Sequence, residues 1–124
     1  MRPLCNESGF TLFEILIAVA ILAVGSVGTT ALTLSMVRGN AISNNITTAT
    51  TLAQDKLEDI KRLGYAAAVS GTEDYGAIAN YSSYRRVTTV TTGVPGAQMK
   101  TVTVAVSWRS SGTHNVTLNT ILSQ

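Results

Sequence analysis

Apolar residues are concentrated in one continuous run near the N-terminus of the chain. Residues 10–37 contain a single charged side chain, Glu14, and residues 15–24 (ILIAVAILAV) contain no polar side chain at all. A transmembrane helix needs about 20 predominantly apolar residues. The run therefore predicts a helix that spans a membrane, preceded by a short polar segment that carries Arg2.

A second hydrophobic pattern follows the apolar run, in which apolar residues recur at intervals of three and four. This spacing is that of one face of an α-helix. No proline lies between Pro3 and Pro95, and Gly64 is the expected helix stop, so we predict one helix over residues 10–63. The apolar stripe of its second half comprises Ile42, Ile46, Ala49, Ala53, Leu57, Ile60 and Gly64.

Three runs rich in β-branched residues occupy the C-terminal part of the chain. They cover residues 84–92, 98–109 and 114–122, whereas residues 65–83 show neither a helical nor a strand period and are predicted to be a polar connector. A sheet this small needs cover on its apolar face. We therefore predict an α+β fold, in which a long N-terminal helix packs on an antiparallel sheet of three to four strands. Alternation assigns to that face Val102, Val104, Val106 and Trp108 of the second run and Val116, Leu118, Thr120 and Leu122 of the third.

Composition excludes several functional classes. Nine Lys and Arg against seven Asp and Glu give a net charge of +2 without a basic block, whereas nucleic-acid-binding proteins usually cluster these residues on one face. One His and one Cys exclude a Cys/His zinc cage and an internal disulfide within one chain. The chain has no G-x-S-x-G motif and no Gly-rich phosphate loop. We therefore expect no enzymatic activity, no cofactor and no nucleic-acid partner.

Charged and polar side chains outside the apolar run are interpreted as solvent-exposed. Glu58 and Arg62, four residues apart, are expected to form an acid-before-base pair on the helix. The set expected to face water comprises Asp55, Glu58 and Asp59 on the helix, Glu73 and Asp74 in the connector, Arg85 and Arg86 at a strand start, and His114 at a turn.

Glu14 is the one charge inside the predicted membrane segment. A charge at the centre of a membrane helix costs about 2.5–3.5 kcal/mol on insertion scales, and less near an interface. No Lys or Arg lies between Arg2 and Arg38. The residues alone leave four partners open: water at headgroup depth, the amino terminus of the processed chain, a lipid group, or another subunit.

Residues 9–14 (GFTLFE) and the apolar run after them resemble the class III signal of type IV pilins and type II secretion pseudopilins. The shared features are a short polar leader, a Gly before an aromatic residue, a Glu five residues after that Gly, and an apolar helix. The resemblance implies that prepilin peptidase cleaves between Gly9 and Phe10 and N-methylates Phe10. It also implies that Glu14 meets the amino terminus of a neighbouring subunit during assembly. The leader, residues 1–9, would carry Cys5 away with it.

The remainder of the chain resembles small minor pilins and I-type pseudopilins, through LAQDKLE at 52–58 and VTVAVSW at 102–108. This resemblance implies a minor structural subunit that is held in the inner membrane, with its C-terminal domain in the periplasm, and then enters a pilus or pseudopilus at the cell surface. Its partners would be other pilin or pseudopilin subunits, prepilin peptidase and inner-membrane lipid. The expected division of the chain is 1–9 leader, 10–37 membrane or filament-core helix, 38–64 amphipathic helix, 65–83 connector and 84–124 β-meander.

Two alternative functions stay open. The first is the major pilin of a thin filament. The second is a membrane-anchored or secreted small β-domain that binds a ligand through residues 65–83. In the secreted form, the apolar run would act as an ordinary signal peptide with a small-x-small cleavage site at residues 18–20.

Overall fold

The computed structural model describes residues 9–110 and 112–124, and within them it contains one α-helix, one short 3-10 turn and four strands. The helix α1 spans Leu12–Leu63 and the turn spans Tyr65–Ala67. The chain divides into two compact units, Met1–Asn40 and Ala41–Gln124. The strands are β1 (Gly71–Glu73), β2 (Tyr84–Thr92), β3 (Met99–Arg109) and β4 (Thr113–Ser123).

The first unit is the apolar part of α1. The helix begins at Leu12, two residues later than predicted, because Thr11 caps it: the backbone N–H of Glu14 donates to Thr11 Oγ1 at 3.2 Å. The helix is long and apolar enough to cross a membrane, and none of its most apolar stretch is buried. Large side chains such as Leu22 and Val24 are 70% and 76% exposed.

Hydroxyl side chains within this apolar stretch bond to the helix itself. Each donates to a backbone carbonyl three or four residues earlier, at 2.8–3.1 Å. A polar group that is satisfied in this way can enter lipid at low cost. The residues concerned are Ser26, Thr29, Thr30, Thr33 and Ser35.

The second unit holds an antiparallel meander in the order β1-β2-β3-β4. The register runs from Tyr84↔Trp108 to Thr92↔Lys100 between β2 and β3. The α+β, pilin-like plan of one long helix on a small antiparallel sheet is thus confirmed. The predicted connector, residues 65–83, contains the 3-10 turn and β1, which the sequence analysis did not predict. At three residues, β1 is too short to show a period in sequence.

The core of the second unit lies between one face of α1 and the inner face of the sheet. Val102, Val104 and Val106 of β3 are fully buried, and Trp108 is 4% exposed, as the alternation predicted. The helix contributes Ala49, Leu52, Ala53, Leu57 and Ile60.

The predicted apolar stripe on α1 is only partly buried. Ile42 and Ile46, the first two residues of the stripe, are 43% and 45% exposed, so the sheet covers the stripe only from Ala49 onward. The hydroxyl of Tyr84, the first residue of β2, donates to Asn45 Oδ1 at 3.0 Å. The sheet therefore ends at this level of the helix, and the stripe runs on beyond it.

Gly64 ends the helix as predicted. Its φ of 85° is a conformation that side chains with a Cβ rarely adopt. Its N–H donates to the carbonyl of Ile60 at 3.0 Å, closing the last turn. The chain then turns towards the sheet, and Lys100 Nζ holds the 3-10 turn by donating to the carbonyl of Tyr65 at 2.8 Å.

Candidate processing and assembly site

Gly9 and Phe10 precede the helix and have no regular structure. Both are exposed, Phe10 by 82%, and a Cβ placed on Gly9 would meet nothing within 4 Å. A peptidase needs to draw backbone of this kind into its active site, which glycine makes easier. The peptide bond between Gly9 and Phe10 is therefore sterically accessible, and its cleavage stays a prediction. The rest of the predicted leader, residues 1–8 with Arg2 and Cys5, lies outside the described residues.

Glu14 lies in the first turn of α1 and is exposed. A carboxylate here interacts favourably with the positive end of the helix dipole. The four ion pairs found among residues 9–110 and 112–124 all lie in the second unit, and Glu14 takes part in none of them. The role of Glu14 in assembly therefore stays a prediction.

One face of the first unit forms an open groove of about 360 Å³. Phe10, Glu14, Ala18 and Leu22 recur every four residues along it, and the small Ala18 leaves a notch between its larger neighbours. The groove thus combines an apolar surface with one carboxylate, which suits another apolar helix that carries a positive charge. Its lining residues are Phe10, Glu14, Ile15, Ala18, Val19 and Leu22.

Glu73 is the centre of an ion-pair cluster in the second unit and its side chain is only 33% exposed, which corrects the expectation that it faces water. Arg86 donates to it twice, from Nε to Oε2 at 2.6 Å and from Nη2 to Oε1 at 2.7 Å. Arg86 also donates from Nη1 to the carbonyl of Leu52 at 2.9 Å, and Lys56 Nζ lies 3.4 Å from Glu73 Oε2. The cluster therefore fastens β1 to both β2 and α1.

The same cluster changes the acidity of Glu73. The hydrogen bonds from Arg86 and the charges of Arg86 and Lys56 lower the pKa of Glu73 below its ordinary value, against partial burial, which raises it. Arg86 has a side chain only 12% exposed, so the prediction that it faces water is wrong. Sequence reasoning missed the pair because its members are thirteen residues apart and on different strands.

Two further contacts hold the connector against the sheet. Arg85 Nε donates to Asp74 Oδ1 at 2.8 Å, and the guanidinium of Arg109 lies 4.4 Å from the ring centre of Tyr75. Asp74 and Arg85 therefore have structural partners while their side chains stay 75% and 42% exposed, in agreement with the expectation that they face water.

His114 is half-buried and stacks on Trp108, with ring centres 5.6 Å apart and planes 23° apart. Its predicted exposure is therefore wrong. The two residues are register partners across the turn between β3 and β4. Alternation along β4 would have placed His114 on the inner row with Val116 and Leu118.

The acidic face of α1 behaves as expected, because Asp55, Glu58 and Asp59 are all exposed. Arg62 pairs with Asp59 at 3.1 Å rather than with Glu58, which corrects the predicted pair; side chains three and four residues apart are equally near on a helix. In the part of the chain that the structure describes, no group of three or more His, Cys, Asp or Glu side chains is placed to hold a metal ion.

Comparison with known families bears on the first unit. Residues 4–30 match the family described as the prokaryotic N-terminal methylation motif. The match supports the resemblance of this segment to the class III signal of type IV pilins and pseudopilins, and it includes Gly9, Phe10, Glu14 and the rest of the groove. Among curated proteins and among solved structures, no match to the chain was found.

Proposed function

We propose that this chain is a structural subunit of a type IV pilus or of a type II secretion pseudopilus. The observation that carries the proposal is the methylation motif at residues 4–30 on a helix whose apolar residues are uncovered. The chain is held in the inner membrane by α1 with its second unit in the periplasm. Prepilin peptidase cleaves between Gly9 and Phe10 and methylates Phe10, and the helix then leaves lipid for the filament core.

The charge pattern of the groove supports a specific mode of assembly. Cleavage before Phe10 creates an ammonium group four residues before Glu14 in sequence, and both residues line the same groove. A buried charge without a partner is costly in an apolar medium. A neighbouring subunit that brings its amine to Glu14 removes this cost, so the pair sets the stagger between adjacent helices.

The small sheet of the second unit supports a minor subunit. Its four strands lie within residues 71–123. This size favours a minor subunit, with the main subunit of a thin filament as the alternative. A membrane-anchored or secreted binding domain is the competing proposal from another functional class.

Mass spectrometry of the mature amino terminus separates the functional classes. We expect a chain that starts with N-methylated Phe10. A mature chain that starts near Ile21 would instead show release by ordinary signal peptidase and would contradict the pilin proposal.

Substitution of Glu14 tests the assembly mode. We expect Glu14→Gln and Glu14→Leu to leave the amount of protein in the membrane unchanged. The amount in sheared filaments should fall roughly tenfold or more, because loss of a charge pair in an apolar medium costs more than about 1.4 kcal/mol. Glu58→Gln, which removes an exposed carboxylate from the same helix, is the matched control and should be neutral. Normal incorporation of Glu14→Gln would contradict the charge pairing.

A further inference from the structure

The sheet of the second unit has two edges without a strand partner in residues 9–110 and 112–124. β1 pairs with β2 alone and β4 pairs with β3 alone. The edge at β1 is three residues long, whereas the edge at β4 is eleven residues long. An edge strand presents backbone N–H and C=O groups that can pair with another chain.

The register shows which backbone groups of β4 point outward. At the two ends of the β3–β4 ladder, Gln124 N–H donates to the carbonyl of Gln98 at 3.1 Å and Ser110 N–H donates to the carbonyl of Gly112 at 3.0 Å. Inward bonding alternates along an antiparallel strand, so the even-numbered residues of β4 bond to β3. The residues whose N–H and C=O point to the free edge are Thr113, Asn115, Thr117, Asn119, Ile121 and Ser123.

The β4 edge lacks the features that usually prevent strand addition. Thr113–Ser123 contains no Lys, Arg, Asp, Glu or Pro, and its register with β3 runs without a bulge. Natural edge strands commonly use charges, prolines, bulges or short length to discourage pairing. The composition of β4 therefore favours pairing with a second, uncharged extended segment.

The other edge of the same sheet offers such a segment. Residues 69–72, which include the first two residues of β1, are also uncharged, and the charge of its third residue, Glu73, is paired with Arg86. Each edge carries an uncovered apolar side chain: Val69 is 70% exposed and Ile121 is 55% exposed. The two edges thus match each other in polarity.

Strand direction decides between the ways in which two copies can meet. In a four-stranded antiparallel meander, the first and last strands run in opposite directions. When two copies with the same orientation lie side by side, β4 of one therefore meets β1 of the next in antiparallel fashion, whereas β4 against β4 would be parallel. Antiparallel pairing is slightly more stable per residue.

We infer that the β4 edge of one copy adds to the β1 edge of the next copy, so that the sheet continues from subunit to subunit. The shared orientation rests on the proposed function, in which one membrane holds all copies by the same helix. A contact between two different surfaces repeats without closing on itself, as a filament requires. Such repetition needs many copies in one filament, so the inference takes the alternative form of the proposed function, in which the chain is the main subunit of a thin filament.

The inner face of β4 supports this continuation. Val116, Leu118 and Leu122 pack against the core but stay half-exposed, whereas the inner residues of β3 are fully covered. A strand added beyond β4 would cover this row. The hydrophobic gain accompanies the backbone hydrogen bonds of the new ladder.

Cysteine cross-linking of the full-length chain tests the contact. In a Cys5→Ser background, the double variant Thr72→Cys/Ile121→Cys, whose two sites lie on the outer face of the sheet, is treated in sheared filaments with a short bismaleimide. We expect a ladder of dimers, trimers and larger species. The control pair Gln54→Cys/Ile121→Cys, which replaces the β1-edge site with an exposed site on α1, should give no ladder.

The single-cysteine variants show which results would overturn the inference. Strong dimers from Ile121→Cys alone would indicate β4 against β4 and would overturn the inference. Methylated, filamentous protein without a ladder from the double variant would also overturn it while leaving the proposed function intact. A chain that starts near Ile21 and forms no filament would instead show that the proposed function itself has failed.

A backbone substitution tests the hydrogen bonds themselves. Thr117→Pro removes an N–H that points outward and leaves the inward bonds of β4 in place. In the double-cysteine background we expect it to reduce the ladder at least fivefold, whereas Thr117→Val should keep it. Unchanged emission from Trp108 would show that the second unit still folds, and an undiminished ladder would then exclude strand addition at β4.

Discussion

The two halves of α1 share one regular backbone but differ in what covers their apolar side chains. Leu22 is 70% exposed, whereas Leu52, thirty residues later on the same helix, is 5% exposed. In the second unit the sheet covers the apolar face, so burial there stabilises the fold of the chain. In the first unit the apolar face is uncovered, so its burial depends on lipid or on other subunits.

Polar groups differ between the two units in the same way. In the first unit, hydroxyls bond to the backbone of their own helix, and Glu14 has no ion-pair partner among the described residues. In the second unit, Arg86 and Glu73 join elements that are far apart in sequence. Contacts between distant elements thus satisfy polar groups in the second unit. In the first unit, polar groups bond only within their own helix, and a partner for Glu14 would have to come from outside the described residues.

The sharpest test of this comparison makes one chemical change in both units. We expect Leu52→Ala to lower the free energy of unfolding of the second unit by about 2–5 kcal/mol, because it leaves a cavity in a covered core. Leu22→Ala should change it by less than about 0.5 kcal/mol, as surface substitutions do. Denaturant unfolding of the full chain in detergent, followed by the fluorescence of its one tryptophan, Trp108, measures both.

The contrary result is equally clear. A loss of stability from Leu22→Ala as large as that from Leu52→Ala would mean that the first unit contributes to the fold of the second. The comparison between a folding half and an assembly half of α1 would then be wrong.

The ion-pair cluster predicts the next largest effect. Arg86→Ala removes three charge-assisted hydrogen bonds and leaves Glu73 without its main partner, so we expect a loss of about 2–3 kcal/mol. Arg62→Ala, which breaks a pair whose side chains are 75% and 60% exposed, should cost less than about 0.5 kcal/mol. Equal losses from the two substitutions would show that the cluster around Glu73 contributes no more than a surface pair.

The lowered pKa of Glu73 predicts a pH dependence that is confined to the acid side. The stabilisation is fully present above the ordinary Glu pKa of about 4.3 and is lost as the pH falls through the lower pKa of the folded state. Glu73→Gln should therefore flatten the acid limb of the stability curve, whereas Glu58→Gln should leave its shape unchanged. An acid limb that Glu73→Gln does not alter would contradict the assignment.

Patterns with many repeats were predictable from the sequence. The helix, the three long strands and the buried face of β3 follow from periods that extend over nine or more residues. β1 and the contacts of Glu73, Asp74 and His114 were not predictable, because each depends on a partner that only the folded topology brings near.

For the candidate processing and assembly site, local sequence pointed to the residues, and the structure added only their surroundings. The resemblance of residues 9–14 to a class III signal points to Gly9, Phe10 and Glu14 from local sequence alone, and their roles stay predictions. The structure adds the groove that joins Phe10 to Glu14 and Leu22 on one helix face. The neighbouring subunit proposed to fill this groove would come from another chain, which sequence reasoning on one chain cannot place.

The smallest expected effects come from two glycines, one in each unit. Gly64 has a φ of 85° and ends the helix next to the core, so Gly64→Ala should lower the stability of the second unit by about 1–2 kcal/mol through backbone strain. Gly39 lies inside α1 in the first unit, where a Cβ would meet nothing within 4 Å. Gly39→Ala should therefore favour local helix by about 0.5–1 kcal/mol without moving the Trp108-reported midpoint. Both changes add the same methyl group, but in different units. A shift of the Trp108-reported unfolding midpoint by Gly39→Ala would show that the first unit affects the stability of the second, which would contradict the comparison.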